Sequence, residues 1–358
     1  MKGVLVDGIE AVQEAVKTHT RLLPRGAATK PALAAPPDDA THPLDLSRLA
    51  GVLEYEPTEF TFTALAGTPL VDIATLLAEN GQYLPFDPPL VKTGATLGGT
   101  VAAGLSGPGR HRYGGIRDFI LGVRFVDGAG RLAKGGGKVV KNAAGFDLPK
   151  LLVGSMGRLG VIVEATFKVF PAPQTFETLK VTFGDLSDAL SALVKLSRAA
   201  LEVDALDLAP PGTLYVRIGG LAETLPPRIE RLEEFFGRGG ETLQGAAEAD
   251  FWEALRELEL APSGLIAKIP VTPKRIPALD MRLEQHGAAR HYSSAGTLAW
   301  VAWPDGSEQL HRLLSEMDCA GLSLLGSGAS PRLGKVAVGG LLARIKKTLD
   351  PDLKFPEF

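Results

Sequence analysis

Three short segments of this chain concentrate residue types able to hold an anion. In Arg25-Gly26-Ala27-Ala28-Thr29-Lys30, which follows Pro24, small residues stand between two cations. Their successive N–H groups can curl into an anion-binding concavity beside the Thr29 hydroxyl. In Gly94-Ala95-Thr96-Leu97-Gly98-Gly99, a loop meets the start of a short predicted helix, Leu97–Ala103. Orphan N–H groups and the positive dipole end at that start would favour a pyrophosphate. The third segment is flanked by Gly154 and Gly157 and ends in Gly160-Val161-Ile162. Without a Cβ, glycine lets the backbone approach a phosphate closely and accepts positive φ. From Val91 to Pro171, glycine is interleaved with Ala, Thr and Ser rather than with charge. That pattern suggests a large anionic cofactor threaded between backbone segments, although each segment alone would also suit an ordinary turn.

Protein-borne catalytic groups are sparse by comparison. Of the histidines His19, His42, His111, His286, His291 and His311, only His286 and His291 approach a metal-ligand spacing, and a surface or structural role suits that pair better. Gly128, Gly130 and Ala133 satisfy a loose G-x-G-x-x-A spacing, but they lie in a predicted hairpin with no helix after it. Gly137-Lys138 is followed by Val139 and has Leu132 where a P-loop needs its first glycine. No nucleophile elbow is present. Cys319, the single cysteine, excludes an intrachain disulfide, a Cys-ligated zinc site and an iron–sulfur cluster within the chain. Any redox chemistry therefore falls to a bound cofactor.

The elements that must position these segments can be read from periodicity. Gly8–His19 has Ile9, Val12, Ala15 and Val16 at helical spacing, and Arg21–Pro24 is a short strand feeding the first turn. Glu59–Leu65 alternates as a strand, and Thr68–Gly81 reads as a helix capped by Thr68 with Pro69 at its first position. Ile120–Val126 and Gly130–Lys134 suggest a hairpin around Asp127-Gly128. Asp147 is a plausible cap for Leu148–Val153, and Val161–Val169 is a strand. After Pro171–Gln174 the pattern becomes strand, helix, strand, strand, helix, strand, over Glu177–Leu243 and again over Gly264–Leu325. Two such βαββαβ units suggest ferredoxin-like halves sharing one antiparallel sheet. The expected fold class is α+β, with domains at 1–172 and 173–330 and a tail at 331–358 that returns to the first domain.

With 358 residues, 45% of them hydrophobic, the chain can bury two substantial cores. Its net charge of −3 with dispersed Lys and Arg offers no basic stripe for nucleic acid and no polybasic run for an anionic membrane. The N-terminal residues show no secretory pattern, and no apolar run reaches about 18 residues. These readings lead us to expect a cytoplasmic location, with any membrane attachment coming through a partner.

In this order the segments resemble the FAD-binding domain of the vanillyl-alcohol oxidase/PCMH-type flavoprotein superfamily. There a P-R-G-G-G-T loop and a T-[IL]-G-G helix start hold the FAD diphosphate; here they stand as Pro24–Thr29 and Thr96–Gly99. Lys141–Pro171 is similar to the K-x-x-x-G-Y-D-L…G-S-x-G-x-L-G-[VI]-I-x-E-A segment of the glycolate oxidase and D-lactate dehydrogenase branch. Gly67–Pro89, Ala95–Pro108, Arg117–Ile162 and Phe251–Leu258 together resemble the E subunits of bacterial glycolate oxidases. The likeness is dense over residues 20–172 and patchy beyond.

The resemblance implies a PCMH-type FAD-binding domain followed by a ferredoxin-like FAD-linked oxidase domain. It assigns diphosphate contacts to Arg25, Gly26, Ala27, Ala28 and Thr29, with Thr96, Gly98 and Gly99, and counts Pro24, Lys30, Ala95 and Leu97 among the cofactor-binding residues. The flavin ring would lie near Gly94, Ala103, Gly104, Ser106, Tyr113 and Gly114, with Gly160, Val161 and Ile162 on the adenosine side. Ala27 and Ala28 depart from the family's glycines, a departure that is tolerable if their φ stays negative. No histidine occupies Arg25–Lys30, which implies noncovalent FAD. The implied activity is oxidation of glycolate, a 2-hydroxy acid, to glyoxylate together with a D-type flavoprotein subunit and an iron–sulfur subunit. The alternatives are a noncatalytic flavin-fold scaffold subunit and a self-sufficient FAD-dependent 2-hydroxy-acid dehydrogenase. No substrate-binding Arg/His set is evident in residues 175–330, so no catalytic residue is assigned and the isolated chain is expected to turn over glycolate poorly.

Overall fold

The computed structural model describes residues 3–34, 38–137, 147–261, 264–326, 331–335 and 339–358. Two units emerge: Met1–Ser106 with Gly115–Pro171 and Ala337–Phe358, and Gly107–Gly114 with Ala172–Val336. Sequence reading put Gly107–Gly114 in the first domain; the structure groups this segment with the second unit. The cause is visible in its side chains, since Tyr113 Oη donates to Asp204 Oδ1 at 2.9 Å and Arg112 pairs with Asp204 and Glu202.

The first unit begins with a small parallel sheet, β1 (Val4–Leu5), β2 (Leu22–Arg25) and β3 (His42–Asp45), in the order β1-β3-β2. The helix Ile9–Thr18 crosses between β1 and β2 and buries Val12, Ala15 and Val16. A five-stranded antiparallel sheet follows from β4 (Val52–Glu56) and β5 (Thr61–Leu65). After the short β6 (Gln82–Tyr83) come its remaining strands β7 (Ile120–Val126), β8 (Leu132–Gly136) and β9 (Val161–Lys168), in the order β4-β5-β9-β7-β8. β10 (Phe170–Pro171) pairs back with β6. Val126, Val161 and Val163 from this sheet meet Val12, Val16, Leu22 and Leu44 in one core. Each fully buried valine or leucine there contributes about 1.5–3 kcal/mol, so this core fixes where β2 ends and the first anion-binding turn begins.

The hairpin of β7 and β8 forms as expected but over a longer turn: Asp127 Oδ1 accepts from the N–H groups of both Ala129 and Arg131. Asp147 caps Leu148–Leu152, its Oδ1 accepting from Lys150 N–H. Thr68 does not cap a helix. Its hydroxyl donates to the Leu65 carbonyl and accepts from Gly51 N–H, so the helix starts at Leu70 behind Pro69. The Lys141–Phe146 part of the family-like motif lies outside the described residues. The C-terminal helix Gly340–Leu349 packs into the first unit: Lys346 Nζ donates to the carbonyls of Arg158 and Phe355 and pairs with Asp350. Lys346 is therefore buried.

The second unit is one nine-stranded antiparallel sheet. Its strands are β11 (Thr175–Thr182), β12 (Ala205–Ala209), β13 (Thr213–Gly220), β14 (Glu241–Gln244), β15 (Leu265–Pro270), β16 (Ala289–Ser293), β17 (Leu298–Trp303), β18 (Ala320–Leu325) and β19 (Arg332–Gly334). The order β14-β11-β13-β12-β16-β17-β15-β18-β19 joins two βαββαβ halves through the single β12–β16 junction. Alternate residues of the central strands, such as Leu206, Leu208, Val216, Tyr292, Val301 and Ala267, enter the core beneath the helices. The opposite face is left to their neighbours in sequence. The family-like segment Phe251–Leu258 falls mostly within an inserted helix, Gly245–Arg256; Trp252 Nε1 donates to Thr178 Oγ1 and Glu248 forms a buried ion pair with Arg217.

Candidate functional site

In the first unit, the end of β2 and the start of the helix Leu97–Ala103 abut. A Cβ on Gly26 would lie 2.1 Å from Thr96 Oγ1, so only glycine permits this approach. Thr96 caps the helix, its Oγ1 accepting from Gly99 N–H at 3.3 Å. Around this junction run two clefts. One is lined by Pro24 through Lys30, then Leu33, Ala34, Thr96, Gly99, Ala102, Ala103 and Met156. The other shares Pro24, Arg25, Gly26, Thr96, Gly99 and Ala102 and adds Leu46, Ala66, Gly98, Gly157, Gly160 and Ile162. The three segments singled out by sequence thus line one connected region.

The chemistry of the lining suits a diphosphate. Successive small residues leave backbone N–H groups accessible, and Lys30 is buried with Nζ donating to Thr29 Oγ1 at 3.0 Å. Arg25 stands at the rim, 3.8 Å from Asp45. Among the described residues, Thr100 Oγ1 and Ser155 Oγ are buried without a hydrogen-bond partner. They are adjacent in sequence to the lining residues Gly99 and Met156 but do not themselves line either cleft. The residues present therefore fit a dinucleotide cofactor.

Several assigned residues are placed differently. Gly98 lines the second cleft, and a Cβ there would lie 2.6 Å from the Ala66 Cβ and 3.0 Å from its carbonyl oxygen, so this glycine is also required for helix-to-sheet packing. Gly99, whose Cβ would meet only Thr96 Oγ1 at 3.0 Å, lines both clefts. Ala28 adopts φ +53°, not the negative φ under which alanine would be cost-free. The left-handed conformation costs about 1 kcal/mol in a residue with a Cβ. Gly94, Ala95, Leu97, Gly104, Ser106 and Val161 are not among the residues lining these two clefts: Ser106 Oγ accepts from Ile116 N–H, Gly104 ends the helix at φ +64°, and Leu97 and Val161 are core. Tyr113 and Gly114 belong to the second unit.

Sequence reasoning missed a row of polar side chains on the second unit. Asp207 of β12 is fully buried and accepts from His291 Nε2 at 2.9 Å, from Ser293 Oγ and from Ser294 N–H. On β17, Trp300 is in register with both His291 and Lys268, and Lys268 in turn with Leu322, which is in register with Arg332. The short helix Arg110–Tyr113 packs on β12 and adds Arg110 and His111. Burial, followed by the like charge of Arg110, pushes Lys268 down to about 8. Burial also lowers His111, against the opposing pull of Asp207 and Asp204. The only sequence trace was a lone Lys in the apolar run Leu265-Ile266-Ala267-Lys268-Ile269. Among the described residues, no cluster of His, Cys, Asp and Glu could hold a metal ion, and no helix is long and apolar enough to cross a membrane.

A sequence family described as FAD binding domain matches residues 6–136. The glycolate oxidase subunit GlcE of Escherichia coli (strain K12) is 35% identical over 308 residues, 85% of this chain and 82% of that protein. The glycolate oxidase subunit GlcD of Bacillus subtilis (strain 168) is 27% identical over 274 residues, 71% of this chain and 58% of that protein. Among solved structures, an alkyldihydroxyacetonephosphate synthase superposes with a TM-score of 0.73 at 17% identity, covering 98% of this chain and 74% of its own.

Proposed function

The chain belongs to the family of the glycolate oxidase E subunit, GlcE, and from that premise we propose that it is the FAD-carrying E-type subunit of an assembly that oxidises glycolate to glyoxylate. The observation that carries the reading is the convergence of Arg25–Lys30, Thr96–Gly99 and Gly160–Ile162 on one pair of clefts within the first unit. Gly26 and Gly99 keep the backbone open there, and Lys30 and Arg25 offset the charge of a diphosphate. FAD supplies the two-electron acceptor for the CH–OH group when bound. No histidine or cysteine stands in Arg25–Lys30, which supports noncovalent attachment. Cys319 alone cannot ligate a cluster, so the onward acceptor belongs to partners, a D-type flavoprotein and an iron–sulfur subunit. A cytoplasmic assembly fits the absence of a membrane-crossing helix among the described residues.

Acid denaturation followed by ultrafiltration tests the attachment, because the yellow colour should pass the filter. Flavin retained by the denatured chain would overturn noncovalent binding. Co-expression with the two partner subunits followed by affinity purification tests the assembly. A chain that elutes alone with full glycolate dehydrogenase activity would replace the subunit reading with a self-sufficient enzyme. A complex whose activity survives complete loss of this chain's flavin would reduce it to a scaffold.

A further inference from the structure

The helix layer of the second unit carries a charge pattern that no contact within the unit answers. The helices Leu186–Leu196 and Ile276–Gln285 hold equivalent places in the two βαββαβ halves, each following the first strand of its half. A groove of about 690 Å³ runs between the first of these helices and the turn Pro273–Arg275 that leads into the second. Ser187, Ser191 and Val194 stand three or four residues apart, so one helix face forms a wall. Leu190, Val194, Pro273 and Pro277 supply its apolar surface. Lys195, Arg198 and Lys274 supply its charge, and all three are exposed. Among the described residues no carboxylate lines the groove, and none of these cations forms an ion pair. The helix dipole accounts for Lys195 and Arg198, which stand at the C-terminal end of their helix. It does not account for Lys274, which sits where the dipole of Ile276–Gln285 is positive. In a chain of net charge −3, like charges gathered in one groove repel one another, and an anionic partner relieves the repulsion.

We propose that this groove docks an acidic segment of a partner subunit, its carboxylates meeting Lys195, Arg198 and Lys274 and a short apolar stretch lying on Leu190, Val194, Pro273 and Pro277. That partner subunits exist rests on the function proposed above; where one of them docks rests on the groove alone. The hydroxyls of Ser187, Ser191 and Thr272 form no hydrogen bond among the described residues and add neutral donors for the same carboxylates. A protein segment fits these walls better than other polyanions do. Single-stranded nucleic acid stacks its bases on aromatic side chains, and among the described residues no aromatic one lines the groove. An anionic membrane is held by clusters of about four to eight cations, more than this groove offers. In such a contact the cations govern on-rate and salt sensitivity, and the apolar surface provides the packing.

The test mixes the flavin-bound full-length chain with the D-type flavoprotein and iron–sulfur subunits and follows association by interferometry under rising salt, then by hydrogen exchange. In the wild-type assembly, amide protection should appear over residues 186–198 and 272–277. Lys195→Glu combined with Lys274→Glu should weaken association by about tenfold or more and flatten its salt dependence. Arg231→Glu, an equal charge change at an exposed position of the helix Leu225–Phe236, should leave association unchanged. Circular dichroism and flavin content should match wild type in every variant, because the altered side chains are exposed. Wild-type association of the Lys195→Glu, Lys274→Glu double variant would overturn the docking groove and leave the assembly standing. A wild-type chain that joins neither subunit would overturn the assembly, and the docking proposal with it. Sedimentation of the wild-type chain with phosphatidylserine vesicles, abolished in the double variant, would overturn the proposal by assigning the groove to a membrane.

Discussion

The cleft of the first unit is lined by backbone and short side chains drawn from runs of consecutive residues, Pro24–Lys30 and Thr96–Ala103. On the large sheet of the second unit, by contrast, polar side chains meet across strands, and the hydrogen-bonded pair Asp207 and His291 lies 84 residues apart in sequence. The first arrangement offers open backbone, the second buried charge and hydrogen bonds. Substitutions should therefore hurt the two in different ways: added bulk at the cleft, lost charge on the sheet.

The largest expected effects come from bulk. Gly26→Val places a side chain against Thr96 Oγ1, where even a Cβ would sit 2.1 Å away. It should purify without flavin and lose about 3 kcal/mol of stability. Absorbance at the flavin band and a urea melt read both. Gly98→Asp should not simply yield folded apoprotein. Its carboxylate would be driven toward Ala66, and the variant should be poorly soluble or melt well below wild type. Gly99→Asp, which faces the cleft, should fold normally and bind flavin weakly; if it retains full flavin, the helix start is not part of the site.

Lys346→Met should match Gly26→Val in lost stability but not in lost flavin. It leaves Asp350 buried beside the carbonyls of Arg158 and Phe355 without its cation. Removing one partner of such a pair costs about 3–5 kcal/mol. The loss should appear in denaturant unfolding of the first unit, with no change in flavin content. A fall in flavin content would show that this pair also holds the cleft.

The pH profile sharpens the comparison further. Lys268 is held at about 8 in the folded chain, below its ordinary 10.5, so between those values the unfolded chain binds more protons. Stability attributable to this residue should rise across that window, because deprotonation removes a cation that burial and Arg110 disfavour. Titration of stability in the Lys268→Arg variant isolates this residue, since its guanidinium stays charged. An identical rise above pH 8 in that variant would assign the transition to another group.

The smallest effect is expected of Ala28→Gly. Relief of the left-handed conformation should outweigh the added chain entropy only slightly, changing stability by up to about 1 kcal/mol. Flavin affinity should hold or improve, as measured by titration of the apoprotein. A clear loss of affinity would mean that the alanine methyl contacts the cofactor.

The sequence by itself determined whatever depends on neighbours along the chain. The strand–helix alternation of both βαββαβ halves, the helix Leu97–Ala103 capped by Thr96, and the cleft-lining turn at Arg25–Lys30 follow from periodicity, capping and small-residue runs. Tertiary structure alone decided where competing partners settled the outcome. Thr68 could cap its helix or bond to Gly51 and Leu65, and the folded chain chose the latter. Only the fold shows that a Cβ at Gly98 would meet Ala66, so packing on the sheet demands glycine there as well as in the cleft lining. Gly107–Gly114 joined the second unit because Asp204 holds Arg112 and Tyr113. The row of Asp207, His291, Trp300 and Lys268 exists only through strand order and register, which pair residues distant in sequence and put alternate side chains on opposite faces. Local patterns cannot encode which strands will lie side by side, because that choice is made by burial of the whole sheet.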